Sequence, residues 1–83
     1  MDAIEEFQYL KALEEIEILK NIEKGKLTIT TQQLIGNLAG HYLMSKEAIE
    51  GQMASDGERE IVNIIEKLAK QSPVFKKIVE HQE

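Results

Sequence analysis

Histidine is the side chain whose charge changes most readily near neutral pH, and the chain contains two, His41 and His81. His41 precedes Ser45 by four residues, so a helix would place both side chains on one face. A serine nucleophile also requires an acid that orients the histidine, and no acid near His41 has the spacing to do so. We therefore interpret His41 as a partly buried or capping residue, and we predict no catalytic residue.

The chain contains no cysteine, which excludes a disulfide, a thiol nucleophile and a thiolate metal site together. Its histidines and carboxylates also lack the spacing of zinc sites and of calcium-binding loops. Gly36 and Gly40 match neither a dinucleotide-binding nor a phosphate-binding loop, because no strand precedes them and no lysine follows the second glycine. We predict no metal and no cofactor, and we expect these glycines to allow either a close helix approach or a bend.

One segment carries a pattern found in DNA-binding proteins. Residues 29–40 read ITTQQLIGNLAG, and residues 45–50 read SKEAIE. A capped helix with a leucine pair and a small residue, followed by a serine-capped second helix, resembles a helix-turn-helix. The resemblance implies a DNA-binding regulator in which residues 30–53 form the reading unit. Phosphate contacts supply most DNA affinity, however, and a net charge of −5 disfavours nucleic acid as the partner.

Helical patterns dominate the 83 residues, which are enough for one domain over residues 1–83. No segment of useful length alternates between apolar and polar residues, so no sheet is expected. We predict an all-α fold, a small bundle of three main helices and a short fourth. The predicted helices cover about residues 3–24, 31–54, 57–71 and 73–81, with a bend or break in the second near residues 40–45.

Capping patterns set most of these boundaries. A polar residue that accepts a backbone hydrogen bond, with Glu or Gln three residues later, marks a helix start, whereas Gly marks a helix end. The patterns are Asp2 with Glu5, Gly25 as the end of the first helix, Thr30 with Gln33, Ser55 with Glu58, and Ser72 before Pro73. Ser45 could restart a helix, which is a further reason to expect a break in the second one.

The first helix has an unusual apolar pattern, because large apolar residues recur every third position from Ile4 to Ile22. Each step of three residues moves the stripe back by about 60° around the helix, so the stripe winds around the whole helix. Either different partners within the chain cover the two halves, or a second copy of the chain covers one face. The residues expected to mediate self-association, as a homodimer, are Leu10, Leu13 and Ile16.

The size, the acidic balance and the lack of catalytic patterns favour a small non-catalytic protein–protein interaction module, which would act as a regulator, adaptor or inhibitor of a larger protein. A helix-turn-helix regulator and a structural subunit of a larger assembly are the two alternatives. No secretion signal or membrane-spanning run is visible, so we expect a cytoplasmic protein. The residues expected to bind the partner are Glu6, Glu14, Glu15, Glu17 and Met44.

Overall fold

The computed structural model describes residues 3–22 and 28–80, which form four helices and contain no strand. The helices are α1 (Ala3–Lys20), α2 (Ile29–Glu50), α3 (Asp56–Ala69) and α4 (Pro73–Glu80). The predicted all-α bundle of three main helices and a short fourth is therefore confirmed. The cap predicted at Asp2, the helix end predicted at Gly25, and His81 lie outside the described residues.

The core lies between α2 and α3, which pack against each other and against both remaining helices. α1 covers one side of this pair and α4 covers another, and within the described ranges α1 and α4 do not contact each other. Each large apolar side chain removed from water here contributes about 1.5–3 kcal/mol to folding. The buried apolar residues are Ala12, Ile16, Leu19, Ile35, Leu38, Ala39, Tyr42, Ile61, Val62, Ile65, Phe75 and Ile78.

α1 ends at Lys20, before the predicted end near residue 24. The Asn21 backbone N–H donates to the carbonyl of Ile18 at 3.1 Å, a bond that tightens the last turn. The Asn21 side-chain amide donates to the carbonyl of Glu17 at 2.9 Å. Because these bonds satisfy carbonyls that a longer helix would have used, the helix can end here without a glycine.

α2 begins two residues earlier than predicted, and its cap is Thr28 rather than Thr30. The Thr28 hydroxyl accepts a hydrogen bond from the Thr31 backbone N–H at 3.1 Å. This start buries the Thr31 side chain and leaves Thr30 exposed to solvent. The predicted capping box of Thr30 with Gln33 is therefore wrong, because several threonines could cap this helix and the burial of Thr31 selects one.

α2 is also continuous from Ile29 to Glu50. Of the bend or break predicted near residues 40–45, the break is therefore wrong. Leu38 and Tyr42, on either side of the second glycine, are both buried in the same core. Their packing offsets the weak helix propensity of Gly36 and Gly40. A Cβ atom at either glycine would meet no atom within 4 Å, so no close helix approach requires them within the described chain.

The starts of α3 and α4 agree with the sequence. The Ser55 hydroxyl accepts from the Glu58 backbone N–H at 3.2 Å, and the Glu58 carboxylate accepts from the Ser55 backbone N–H at 3.0 Å. This reciprocal pair confirms the predicted capping box. Pro73 is the first residue of α4, where its missing N–H costs nothing. α3 ends at Ala69, two residues before the predicted end.

A polar contact joins α2 to α3 at the edge of the core. The Tyr42 hydroxyl donates to the Glu66 carboxylate at 2.7 Å, and the Lys46 ammonium lies 3.4 Å from the same oxygen. The Tyr42 ring is only 2% exposed, so its hydroxyl reaches the half-exposed carboxylate from inside the core. The contact fixes the position of α3 along α2 through a directional bond to a charged group.

We expect Gly36→Ala and Gly40→Ala each to raise the free energy of unfolding by about 1 kcal/mol, because alanine favours a helix and has free space at both positions. Urea denaturation measures this change. Gly51→Ala is the control, since Gly51 caps the helix rather than lying within it, and we expect a smaller gain there. A loss of stability at Gly36 or Gly40 would contradict the open surroundings of these glycines.

We expect Tyr42→Phe to lower the free energy of unfolding by about 1–2 kcal/mol, because it removes a hydrogen bond to a carboxylate and keeps the buried ring. Lys46→Gln is the matched comparison on the same carboxylate. Because the Lys46–Glu66 pair is well exposed, we expect its loss to cost about 0.5 kcal/mol or less. Equal losses for the two variants in thermal or urea denaturation would disprove this ranking.

Candidate functional site

α1 leaves a row of large apolar side chains exposed on the side away from the core. Phe7 is 66% exposed, Leu10 is 54% exposed and Ile18 is 45% exposed. Together with Lys11 and Glu14 these residues line a shallow depression, and we call this set the α1 outer face. Most of an apolar stripe normally faces the core of its own chain, so large exposed side chains in one row indicate a binding surface.

The winding of the apolar stripe produces this surface. The core takes Ala12, Ile16 and Leu19 from the second half of α1, and the opposite side of the helix is left outside. Of the three residues predicted to mediate self-association, only Leu10 lies on the α1 outer face. Ile16 is 3% exposed within the core, so its assignment to a surface between copies is corrected, whereas Leu13 is half-buried against the core and its role stays a prediction.

A second feature lies beside the α1 outer face, where α1 meets α2. Lys11, Glu15, Gly40, His41 and Met44 line this α1–α2 groove, which has a volume of about 500 Å³. Met44 is 70% exposed there, as its position away from the apolar side of α2 suggested. Two of the residues predicted to bind a partner, Glu15 and Met44, are therefore brought to one groove. The Asn37 amide donates to the Glu15 carboxylate across it at 3.2 Å.

The other predicted partner-binding acids do not reach this groove. Glu14 lies on the α1 outer face, and Glu6 and Glu17 lie still further from the groove around the helix. Glu17 forms an ion pair with Lys20 at 3.6 Å along the exposed side of α1. The four acids therefore do not form a single acidic patch, because their sequence positions fall at different angles around α1.

The His41–Ser45 pair shows no catalytic arrangement. Ser45 is fully buried, and its hydroxyl has no hydrogen-bond partner among the described residues, including His41. His41 lines the groove, where burial lowers its pKa below the ordinary value of 6.5, while the charges of Glu58 and Glu15 act in the opposite direction. In the described parts of the chain, no three His, Asp or Glu side chains are grouped as metal ligands.

The helix-turn-helix geometry implied for residues 30–53 is absent, because α2 crosses the expected turn as one helix. Lys46, the single basic residue of the expected recognition helix, lies within ion-pair distance of Glu66 of its own chain. That part of the resemblance is therefore corrected. None of the described helices combines the length and apolar character needed to cross a membrane.

Phe7 and Ile18 were not predicted as surface residues. A signal was available, because positions 4, 7, 11, 14 and 18 follow alternating steps of three and four residues, which keep them on one side of a helix. The three-residue series from Ile4 to Ile22 is more conspicuous in the sequence, and its members lie partly in the core and partly on the surface. The buried and the exposed apolar residues of α1 can be told apart only when the side of α1 that contacts α2 and α3 is known.

We expect the free energy of unfolding to fall as the pH drops from 7.5 to 5.5, and His41→Gln to reduce this fall. The folded protein has the lower His41 pKa, so the unfolded chain binds more protons just below pH 6.5 and acid favours unfolding. Urea denaturation at both pH values measures the effect. His81→Gln is the matched control, and an unchanged pH dependence in His41→Gln would contradict the assignment.

Comparisons with known proteins complete the description of the site. The chain was compared with protein-family models, with curated proteins and with solved structures. None of the three comparisons finds a match. The function is therefore argued from the described residues themselves, and above all from the α1 outer face and the α1–α2 groove.

Proposed function

We propose that this chain is a small non-catalytic interaction module that acts by binding a second protein through the α1 outer face. The carrying observation is the exposure of Phe7, Leu10 and Ile18 in one row on a helix whose other side is buried. Aromatic and aliphatic side chains of this size supply most of the free energy at the centre of a protein interface. Regulator, adaptor and inhibitor are the roles that such a module can perform.

Charges at the α1 outer face support a protein partner rather than a lipid or a nucleic acid. Lys11 and Glu14 stand between the apolar residues, one positive and one negative. A surface of mixed sign favours neither a phosphate backbone nor an anionic membrane, whereas it can match opposite charges on a protein and fix the register of binding. We also propose a cytoplasmic location for this module.

The remaining apolar surface does not form a comparable row. Besides Ile4 on α1 and Met44 in the groove, Leu43 is exposed on α2. Ile29 at the start of α2 and Met53 in the α2–α3 connection are exposed outside α1. Scattered exposed apolar residues are normal on a protein surface and need no partner. Ile29 and Met53 therefore provide matched controls for substitutions on the α1 outer face.

Capture of partners by the immobilised full-length chain tests the proposal. We expect Phe7→Glu and Ile18→Glu each to reduce the recovered partner at least about tenfold, because each places a charge in the apolar part of the interface. Met53→Glu is the control, since Met53 is 83% exposed and lies outside α1. The readout is partner recovered from a cell lysate, determined by mass spectrometry.

Circular dichroism verifies that each variant retains its helices, which we expect because the substituted side chains are exposed. The proposal is contradicted if Phe7→Glu and Ile18→Glu recover the same proteins as the unsubstituted chain. It is equally contradicted if Met53→Glu reduces recovery as strongly as they do.

A further inference from the structure

The α1 outer face has the seven-residue spacing of a coiled-coil seam. Phe7, Lys11, Glu14 and Ile18 are separated by steps of four, three and four residues, and all four are exposed. Such a spacing places them along one narrow line of the helix, with apolar residues at the ends and opposite charges in the middle. Leu10 flanks this line.

The order of these four residues, apolar, positive, negative and apolar, complements itself when two copies are aligned in opposite directions. If two α1 helices lie antiparallel, with paired residue numbers summing to 25, Phe7 meets Ile18 of the second copy and Lys11 meets Glu14 of the second copy. Within this line of four, Phe7 and Ile18 then meet each other and Lys11 and Glu14 meet each other, whereas Leu10 and Ile4 lie beside or beyond these contacts and have no apolar counterpart in the same register. The same two contacts repeat on the other side of the twofold axis, as an isologous dimer requires.

Other arrangements lose this match. In a parallel pair Lys11 would face Lys11 and Glu14 would face Glu14, so like charges would meet twice in the centre of the seam. Sliding the antiparallel pair by one heptad would place Phe7 against Lys11, or Ile18 against Glu14, and leave a charge against an apolar side chain. One orientation and one register therefore satisfy all four residues.

The geometry points to a second copy of this chain as the occupant of the α1 outer face, bound as an antiparallel homodimer through α1 with Phe7 against Ile18 and Lys11 against Glu14. This inference rests on the proposed function, because it identifies the partner of the same surface. Charge complementarity favours a second copy as the occupant, since Lys11 and Glu14 of one copy pair with Glu14 and Lys11 of the other.

Charge reversal tests this arrangement, with sedimentation equilibrium of the full chain over a wide concentration range as the measurement. We expect the unsubstituted chain to form a concentration-dependent dimer. Lys11→Glu and Glu14→Lys should each raise the dimer dissociation constant at least about tenfold, because each places like charges together in two layers. The double variant that carries both changes, and an equimolar mixture of the two single variants, should each restore dimerisation.

Glu60→Lys and Lys70→Glu are matched controls on the exposed side of α3 and just beyond its end, and we expect no change in dimerisation for either. Restoration in the double variant supports the antiparallel pairing, because a parallel pair would keep like charges together in the double variant as in each single variant. The mixture brings opposite charges together in both orientations, so its restoration tests the contact between positions 11 and 14 and not the orientation. A dimer that is insensitive to both single reversals would overturn the inference.

A chain that remains monomeric at every concentration would also overturn it. The proposed function would survive that result if partner capture still depended on Phe7 and Ile18, and it would fail separately if capture did not. Sedimentation therefore tests whether a second copy binds the α1 outer face, and partner capture tests whether this face binds a protein at all.

Discussion

The packing of α2 against α3 is the interaction on which the other elements depend. α1 and α4 each rest on both of these helices and do not contact each other in the described chain. The contact has an apolar part, in which Leu38 and Ile61 are fully buried, and a polar part, in which Tyr42 reaches Glu66. Burial of the apolar part contributes to the free energy of folding, and the directional hydrogen bond of the polar part sets the position of α3 along α2.

The same packing explains the surface of α1. A helix with an apolar residue at every third position has no single apolar side, so one flat partner cannot bury all of them. The α2–α3 pair accepts Ala12, Ile16 and Leu19 and excludes Phe7 and Ile18 by geometry. Phe7 and Leu10 are members of the three-residue series that the core leaves outside, and Ile18, which is not in that series, lies on the same side of α1.

Much of the fold could be predicted from local signals. The start of α3 follows from Ser55 and Glu58, and the start of α4 follows from Ser72 and Pro73, because a cap acts within one turn of chain. The start and continuity of α2 could not be predicted in this way. They depend on burial of Thr31 and Tyr42, which the rest of the fold supplies and which outweighs the local preference of Thr30 and Gly40.

For the candidate site too, local sequence signals predict some features and tertiary packing decides the others. Leu10, Glu15 and Met44 were identified from their types and positions, and the structure places Leu10 on the α1 outer face and the other two in the α1–α2 groove. Ile16 was assigned to the surface because it belongs to the same three-residue series as Leu10, and the structure buries it in the core. Sequence spacing gives the angles between residues on α1, whereas the direction of the core relative to those angles comes only from tertiary packing.

The division of the core between the helices has a consequence for local unfolding. α1 provides three of the buried apolar residues, Ala12, Ile16 and Leu19, whereas the described parts of α2, α3 and α4 provide the rest. Because α1 and α4 do not contact each other in the described chain, a separation of α1 from the bundle would leave the contacts among the other three helices in place. The backbone amides of α1 would then exchange with solvent by a separate opening of lower free energy than global unfolding. Covering α1 with another molecule would slow that exchange, so binding and local stability are coupled at this helix.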